Sequence, residues 1–354
     1  MMLEKLLPSF FGLTLLLCSC SSEETVEISA LCERDEIGNY VIKWETSPRM
    51  EGTVKLYVSN QPDGFDYSRP IDYIPTSSGV TTYVTNDNIT RMYFRLTFSD
   101  KYTRTLGARE VSTDYIQNFR DLGGYRTASK KELQWGKVYR SGSLTHINDW
   151  DSLRLNNLAL KTFIDLRAPS EIALAPVSYS PLNVVSIPLV SESLRDIFPR
   201  IHSGKMKKGD VYLLLQDRYL RYIDSFDKEL KQALELFLDE SNYPIVISSS
   251  FGKDRAGLLS FFLLYALGVQ EEDILHDYLL TNRYLDKKEF AYLVSNSNSS
   301  VQETLTSYLL VDEELFSFFT KYINKEFGST DQYLVKQLGF TKEKQKQLRN
   351  ILLE

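Results

Sequence analysis

Only three cysteines, Cys18, Cys20 and Cys32, occur in the 354 residues, and none follows Cys32. That distribution excludes a disulfide framework and leaves no thiol nucleophile anywhere from residue 33 to the end. Histidine is as scarce. His146, His202 and His276 stand far apart, so no His/Cys cluster with metal-ligand spacing exists, and neither a metal nor a cofactor is expected. A surplus of positive charge is missing too: the formal net charge is −6. This argues against nucleic acid as a partner, because binding a phosphate backbone requires a basic face. A local basic pocket stays open. The apolar run Leu6–Leu17 is too short to span a bilayer comfortably.

What the N-terminus does have is a targeting pattern. Lys5 precedes the apolar run and Leu17-Cys18-Ser19-Cys20 follows it. The pattern resembles the lipobox of bacterial lipoproteins, which implies a signal peptide over residues 1–19 and a lipidated Cys20 at the new N-terminus. Several acyl chains on one residue anchor stably where a single chain does not. Ser21 after the cysteine resembles the outer-membrane-sorted class. The expected location is therefore the cell envelope of a Gram-negative-type bacterium, on the outer membrane, periplasmic or surface-exposed. Residues 20–30 read as a linker.

At 25% charged and 43% hydrophobic residues, the rest is ordinary globular material, long enough for two cores. Residues 31–112 read as a small all-β domain. Tyr40, Ile42 and Trp44 alternate with Val41, Lys43 and Glu45. Val54, Leu56 and Val58 alternate with more polar neighbours, as do Met92, Phe94, Leu96 and Phe98. Pro62-Asp63-Gly64 marks a turn between them. Period-two patterning with such turns predicts an antiparallel sandwich of fibronectin-like or immunoglobulin-like type. Its role is either that of a spacer or that of a ligand-binding or adhesion module.

From residue 113 to 354 the pattern is α/β. Leu160–Leu166 is a short apolar strand ending in Asp165-Leu166-Arg167. Residues 212–238 have helical spacing, with Tyr219, Tyr222, Ile223, Phe226, Leu230 and Leu234 on one stripe. Pro244–Ile247 is a buried strand and Leu258–Val269 a buried helix. The region after Glu271 is mostly helical, with a loop expected at Ser295–Ser300.

The most informative stretch lies between that strand and that helix: Ser248-Ser249-Ser250-Phe251-Gly252-Lys253-Asp254-Arg255. A strand running through a glycine-containing loop into a helix gathers backbone N–H groups that can hold an anion. Arg255 offers a planar fork suited to two phosphate oxygens. Lys253 adds a point charge, and Gly252, Ser250, Phe251 and Ser249 complete the loop.

Six segments in order carry a family resemblance. They are Asn118–Tyr125 (Asn-Phe-Arg-Asp-Leu-Gly-Gly-Tyr), Val138–Leu144, Ile164–Arg167 with Glu171, Gly252–Arg255, Asp277–Asn282, and the tail with Phe327-Gly328-Ser329 and Leu338–Thr341. Together they resemble the bacterial tyrosine phosphatases whose members also act on phosphoserine or phosphoinositides. The resemblance implies a central sheet with flanking helices over residues 113–354, and an active loop of the form Cys-x5-Arg.

Here Ser249 stands where that resemblance places the nucleophilic cysteine, Ser248 where it places a histidine, and Ala256 where it places threonine or serine. A thiol can be ionised near neutral pH at a helix N-terminus, whereas a serine hydroxyl needs an adjacent base or a metal. The carried-over general-acid candidates are Asp254 and Asp165, while Arg120, Asp121, Arg140 and Arg167 are expected to organise the pocket floor. Phe251 either narrows the mouth or stacks on an aromatic ligand. The expected protein is one that holds a phosphorylated or anionic ligand (a phosphoprotein, phosphoinositide or sugar phosphate) with little or no hydrolysis. The alternatives are an active hydrolase with an atypical nucleophile, and an adhesion role for the β-domain.

Overall fold

Alternating side chains build the first domain as expected. In this computed structural model, which describes residues 26–179, 182–286, 290, 291, 293, 295 and 297–354, seven strands form two antiparallel sheets. One sheet has the order β1 (Glu27–Arg34), β2 (Tyr40–Ser47), β5 (Val80–Tyr83). The other has the order β4 (Asp72–Pro75), β3 (Thr53–Ser59), β6 (Tyr93–Phe98), β7 (Tyr102–Gly107). Tyr40, Ile42 and Trp44 of the first sheet pack on Val54, Leu56, Phe94, Leu96 and Phe98 of the second. The expected signal peptide and Cys20 lie outside the described residues. The expected linker 20–30 is cut short: β1 begins at Glu27, because Ile28 and Ala30 extend the alternation of Cys32 into the core.

Two aromatic residues depart from the alternation, and for one reason. Tyr57 and Tyr93 are buried on the outer face of their sheet, where they cluster with Phe65 and with Trp135 of the second domain. The sandwich is thus covered on that side by its neighbour. A buried arginine fastens the joint. Arg91 Nη2 lies 3.0 Å from Asp121 Oδ2 and donates to the Ala108 carbonyl at 2.8 Å, and its guanidinium sits 5.1 Å from the ring of Tyr93 and 5.5 Å from that of Tyr139. Asp121 keeps two backbone donors, Gly123 and Gly136, at 2.7 and 2.8 Å. Arg91→Ala should therefore cost one charged hydrogen-bonded pair, about 1.5–3 kcal/mol, read as a lower urea midpoint. An unchanged midpoint would show that the pair does not hold the domains together.

The second domain is a five-stranded sheet of order β11 (Asn183–Ser186), β10 (Thr162–Asp165), β12 (Ile245–Ser248), β9 (Val138–Ser141), β8 (Arg120–Asp121), parallel except for β8. Both faces of the central strands β10 and β12 are covered, so these two read as largely apolar runs rather than alternating ones. Tyr139, Phe163 and Val246 face a cluster that includes Leu155 of helix α1 (Asp149–Asn157). Two short helices, α2 (Pro169–Leu174) and α3 (Leu194–His202), border the C-terminal ends of the strands. Val138, Ile164, Ile245 and Ile247 face the larger core. That core is built by α4 (Lys208–Ser225), α5 (Asp227–Glu235), α6 (Asp254–Leu267), α7 (Glu271–Leu279) and the helices Ser299–Leu309, Glu313–Phe327 and Lys342–Leu352.

Three expected boundaries move. The single helix expected over 212–238 starts at Lys208 and is divided at Phe226, whose backbone (φ −126°, ψ 31°) leaves the helical region. The helix expected from Leu258 starts at Asp254, one turn earlier, where the residues are polar and carry no periodic signal. Within the loop expected at Ser295–Ser300, Asn296 lies outside the described residues. Asn298 accepts from Val301 N at 3.0 Å and caps a helix that already includes Ser299 and Ser300.

Candidate anion site at the end of the central strand

Strands β9, β10 and β12 end in register, with Ser141 and Asp165 flanking Ser248. The C-terminal edge of a parallel sheet is where such folds bind ligands. From Ser248 the chain turns through Gly252, at φ +66°, into α6. Around this turn the loop carbonyls are engaged one after another. The Ser249 carbonyl accepts from Gly252 N at 3.3 Å and that of Ser250 from Ser143 N at 3.4 Å. Asn118 Nδ2 donates to the Phe251 carbonyl at 3.0 Å. Arg140 Nη2 donates to those of Gly252 and Lys253 at 2.7 and 3.2 Å. The amides are left over. No side chain caps α6, and the N–H groups of Ser250, Phe251, Lys253, Asp254, Arg255 and Ala256 have no partner among the described residues. Orphan donors on the positive end of a buried helix form an anion seat.

Beneath the loop lies a buried ion cluster. Asp277 of α7 accepts from Arg120 Nε at 2.9 Å, from Arg140 Nη1 at 2.6 Å and from Tyr125 OH at 3.3 Å. Asn118, whose backbone is left-handed at φ +56°, also bonds Arg120 through its side chain. The expected floor residues Arg120 and Arg140 are thus under the loop. Asp121 faces the sandwich instead.

Arg255 points at Glu171, with Nη1–Oε2 at 2.6 Å and Nη2–Oε1 at 3.0 Å. Its Nη2 also reaches Ser250 Oγ at 2.9 Å, and Ser250 Oγ donates in turn to Glu171. Arg255 Nε has no bond within the described residues and remains for a ligand. Burial pushes the Glu171 carboxyl up, but the hydrogen bonds and charge of Arg255 outweigh it and hold the group at about 2. A carboxyl depressed in the folded state stabilises above its unfolded value, about 4.3, and this contribution is lost as pH falls towards 2. Melting curves should accordingly lose stability over that window, with a shallower acid limb in Glu171→Gln. Identical acid limbs would sink this assignment.

Asp254 is held on both sides, by Lys253 Nζ at 2.7 Å and Arg218 Nη1 at 3.2 Å. Burial raises its carboxyl, yet Lys253 and Arg218 more than offset this and keep it below the usual carboxylate range. Asp165 is buried against Arg167, which meets both its oxygens, Nε–Oδ1 at 2.9 Å and Nη2–Oδ2 at 2.7 Å. It does not line the cavity over the loop. Ser248 is buried and its hydroxyl donates to the Gly142 carbonyl at 2.8 Å. Ser249 is 2% exposed, and its hydroxyl has no partner among the described residues. The cavity above it is about 20 Å³, room for roughly one water. It is walled by Ser191–Leu194, Tyr308 and Phe251, whose ring makes an edge contact with Phe290 at 5.4 Å.

The model for the tyrosine phosphatase family matches residues 111–354, well over half of the chain. The chain belongs to the tyrosine phosphatase family. Among its relatives is a Cupriavidus necator protein assigned to the tyrosine-protein phosphatases, 27% identical over 234 residues, which are 64% of this chain and 84% of that protein. The triple specificity protein phosphatase of Mycobacterium tuberculosis is 25% identical over 187 residues, 47% of this chain and 66% of that one. Among solved structures, the catalytic core of a PP-IP phosphatase from S. cerevisiae covers 61% of this chain and 95% of its own, at 16% identity and a TM-score of 0.28.

Within this tyrosine phosphatase-family domain, the loop and floor residues expected from the sequence meet at one place, except Asp165 and Arg167, which pair with each other, and Asp121. Arg218, Tyr308 and the strap Ser191–Leu194 were not legible. Arg218 had a signal: it is an arginine on the buried stripe of α4 with Leu215, Tyr219 and Tyr222, and a buried arginine requires a partner. It joins the strap to the loop, since Nη2 donates to the Glu192 carbonyl at 2.9 Å.

Proposed function

We propose that this tyrosine phosphatase-family protein binds a phosphorylated or otherwise anionic group in the Ser249–Arg255 loop and hydrolyses it little or not at all. One observation carries the reading. Among the described residues, the carboxylates around Ser249 are already paired: Glu171 with Arg255, Asp254 with Lys253 and Arg218, Asp165 with Arg167, Asp277 with Arg120 and Arg140, and Glu192 of the cavity wall with Arg200. Ser249 stands where the family resemblance puts a thiolate, and no base among the described residues bonds its hydroxyl. A serine in that setting stays protonated. The free amides and Arg255 Nε still favour an anion. The same proposal places the protein in a bacterial envelope, anchored through a lipidated Cys20, on the strength of the Leu6–Cys20 pattern.

The test uses the chain without residues 1–20. Inorganic phosphate or tungstate should raise the melting temperature, by the free energy that ligand binding adds to the native state, and Arg255→Ala should abolish the rise. Aryl phosphate should not turn over. Ser249→Cys should bring only partial turnover, because Ser248 and Ala256 still lack the groups that assist a thiolate. Turnover by the unmodified chain that vanishes in Arg255→Ala would overturn the non-hydrolytic reading. No stabilisation by any oxyanion would overturn the binding one.

A further inference from the structure

The joint between the two domains holds a second cavity, far larger than the one over the loop: about 370 Å³, within the range of small-molecule sites, ~300–1,000 Å³. Strands β1 and β7 form one wall, and Tyr125, Trp135 and α7 form the other. Its charges are unequally matched. Glu33 is held by Arg283 at 2.8 Å, and Glu132 by Arg126 at 3.4 Å and Arg104 at 3.9 Å.

Arg109 has no carboxylate within salt-bridge distance among the described residues. Its guanidinium lies 3.9 Å from the centre of the Tyr125 ring and 5.3 Å from that of Trp135. Among the described residues only its Nη1 is engaged, donating to the Asp121 carbonyl at 2.9 Å. An arginine seated against two aromatic rings, with its other donors unengaged among the described residues, is placed to meet a planar oxyanion, and the rings beside it offer an apolar surface. The remaining acid of the lining, Asp273, makes no ion pair with Arg109 among the described residues.

We propose that this interdomain cleft is a second binding site, for a small carboxylic acid with a flat apolar body, seated on Arg109 between the sandwich and the phosphatase-family domain. Phosphate would satisfy Arg109 as well, but phosphate alone would leave the Tyr284 and Trp135 surfaces uncovered, so the aromatic carboxylate is the better fit. The floor of the cleft is the far side of the loop's own support: Tyr125 stacks on Arg109 and bonds Asp277. Arg109 itself lies outside the Ser249–Arg255 loop, so the proposal does not rest on what that loop binds.

The test is made in the Arg255→Ala background, so that anions at the loop contribute nothing. Phenylacetate, its neutral isostere phenylacetamide and inorganic phosphate are titrated by calorimetry, and phenylacetate again by tryptophan fluorescence. The expected result is saturable binding of phenylacetate at millimolar or lower concentration, none of phenylacetamide, and a dissociation constant at least about ten-fold weaker in Arg109→Gln, a loss of about 1.4 kcal/mol. Should Arg109→Gln unfold, the fluorescence arm decides: phenylacetate must change the emission of the chain with Trp135 and leave that of Trp135→Phe unmoved. No saturable binding of phenylacetate overturns the proposal. So does binding that Arg109→Gln leaves intact, or binding of phosphate as tight as that of phenylacetate, which would mark a bare anion site.

Discussion

Asp277→Asn is expected to lower the stability of the phosphatase-family domain by about 3–5 kcal/mol, a fall in melting temperature on the order of 10 °C. The carboxylate sits between two arginines, Arg120 and Arg140, and all three side chains are at most 1% exposed. A neutral amide of the same shape keeps one acceptor oxygen but turns an NH2 group towards a guanidinium, stranding positive charge away from water. The effect should reach the loop, since Arg140 also holds the Gly252 and Lys253 carbonyls. Phosphate-induced stabilisation should therefore weaken along with the fold.

The pH dependence has a definite sign. Burial raises the Asp277 carboxyl, but Arg120 and Arg140 outweigh it and hold it far below the usual range. Its contribution is complete above the unfolded value, about 3.9, and is lost as pH falls below it. Wild type should converge on Asp277→Asn at acid pH and separate from it above pH ~5. A variant that melts like the wild type at neutral pH would show that the arginines have found other partners.

What could be read in the sequence follows from which signals are local. Strand alternation is local, so it puts Tyr40, Ile42 and Trp44 in the sandwich core, where the structure has them. The same rule placed Tyr57 and Tyr93 outside it, and failed because their covering partner, Trp135, is distant in sequence and belongs to the other domain. The loop was legible because a strand, a glycine and a helix start are contiguous. The network beneath it was legible only as motif letters: nothing local says that Asp277 meets Arg120, or that Glu171 meets Arg255. Asp165 and Arg167 lie two residues apart, and their side chains meet each other instead of the cavity. The start of α6 was missed because Asp254, Arg255 and Ala256 follow the pattern of the anion seat, not that of an apolar stripe.

Gly252→Ala should erase the anion site while leaving the sheet folded. The position has φ +66°, and a methyl group built there would lie 2.5 Å from the carbonyl carbon and oxygen of Ser141 and 2.8 Å from Gly142 N. These are backbone atoms at the end of β9, so no side chain can swing aside. A left-handed non-glycine residue costs roughly 1–2 kcal/mol before any clash, and the clash itself forces the loop away from β9. Retreat breaks the Arg140–Gly252 carbonyl bond at 2.7 Å and turns the neighbouring amides out of register. The expected outcome is complete loss of phosphate-induced stabilisation with a modest drop in the resting melting temperature. Gly209→Ala is the matched control: a methyl there meets nothing within 4 Å, in the first turn of α4, so it should be neutral or stabilising by about 0.4–1 kcal/mol and keep the phosphate response. If Gly252→Ala still responds to phosphate as the control does, the anion is not seated on these amides, and the free donors of α6 have no part in holding it.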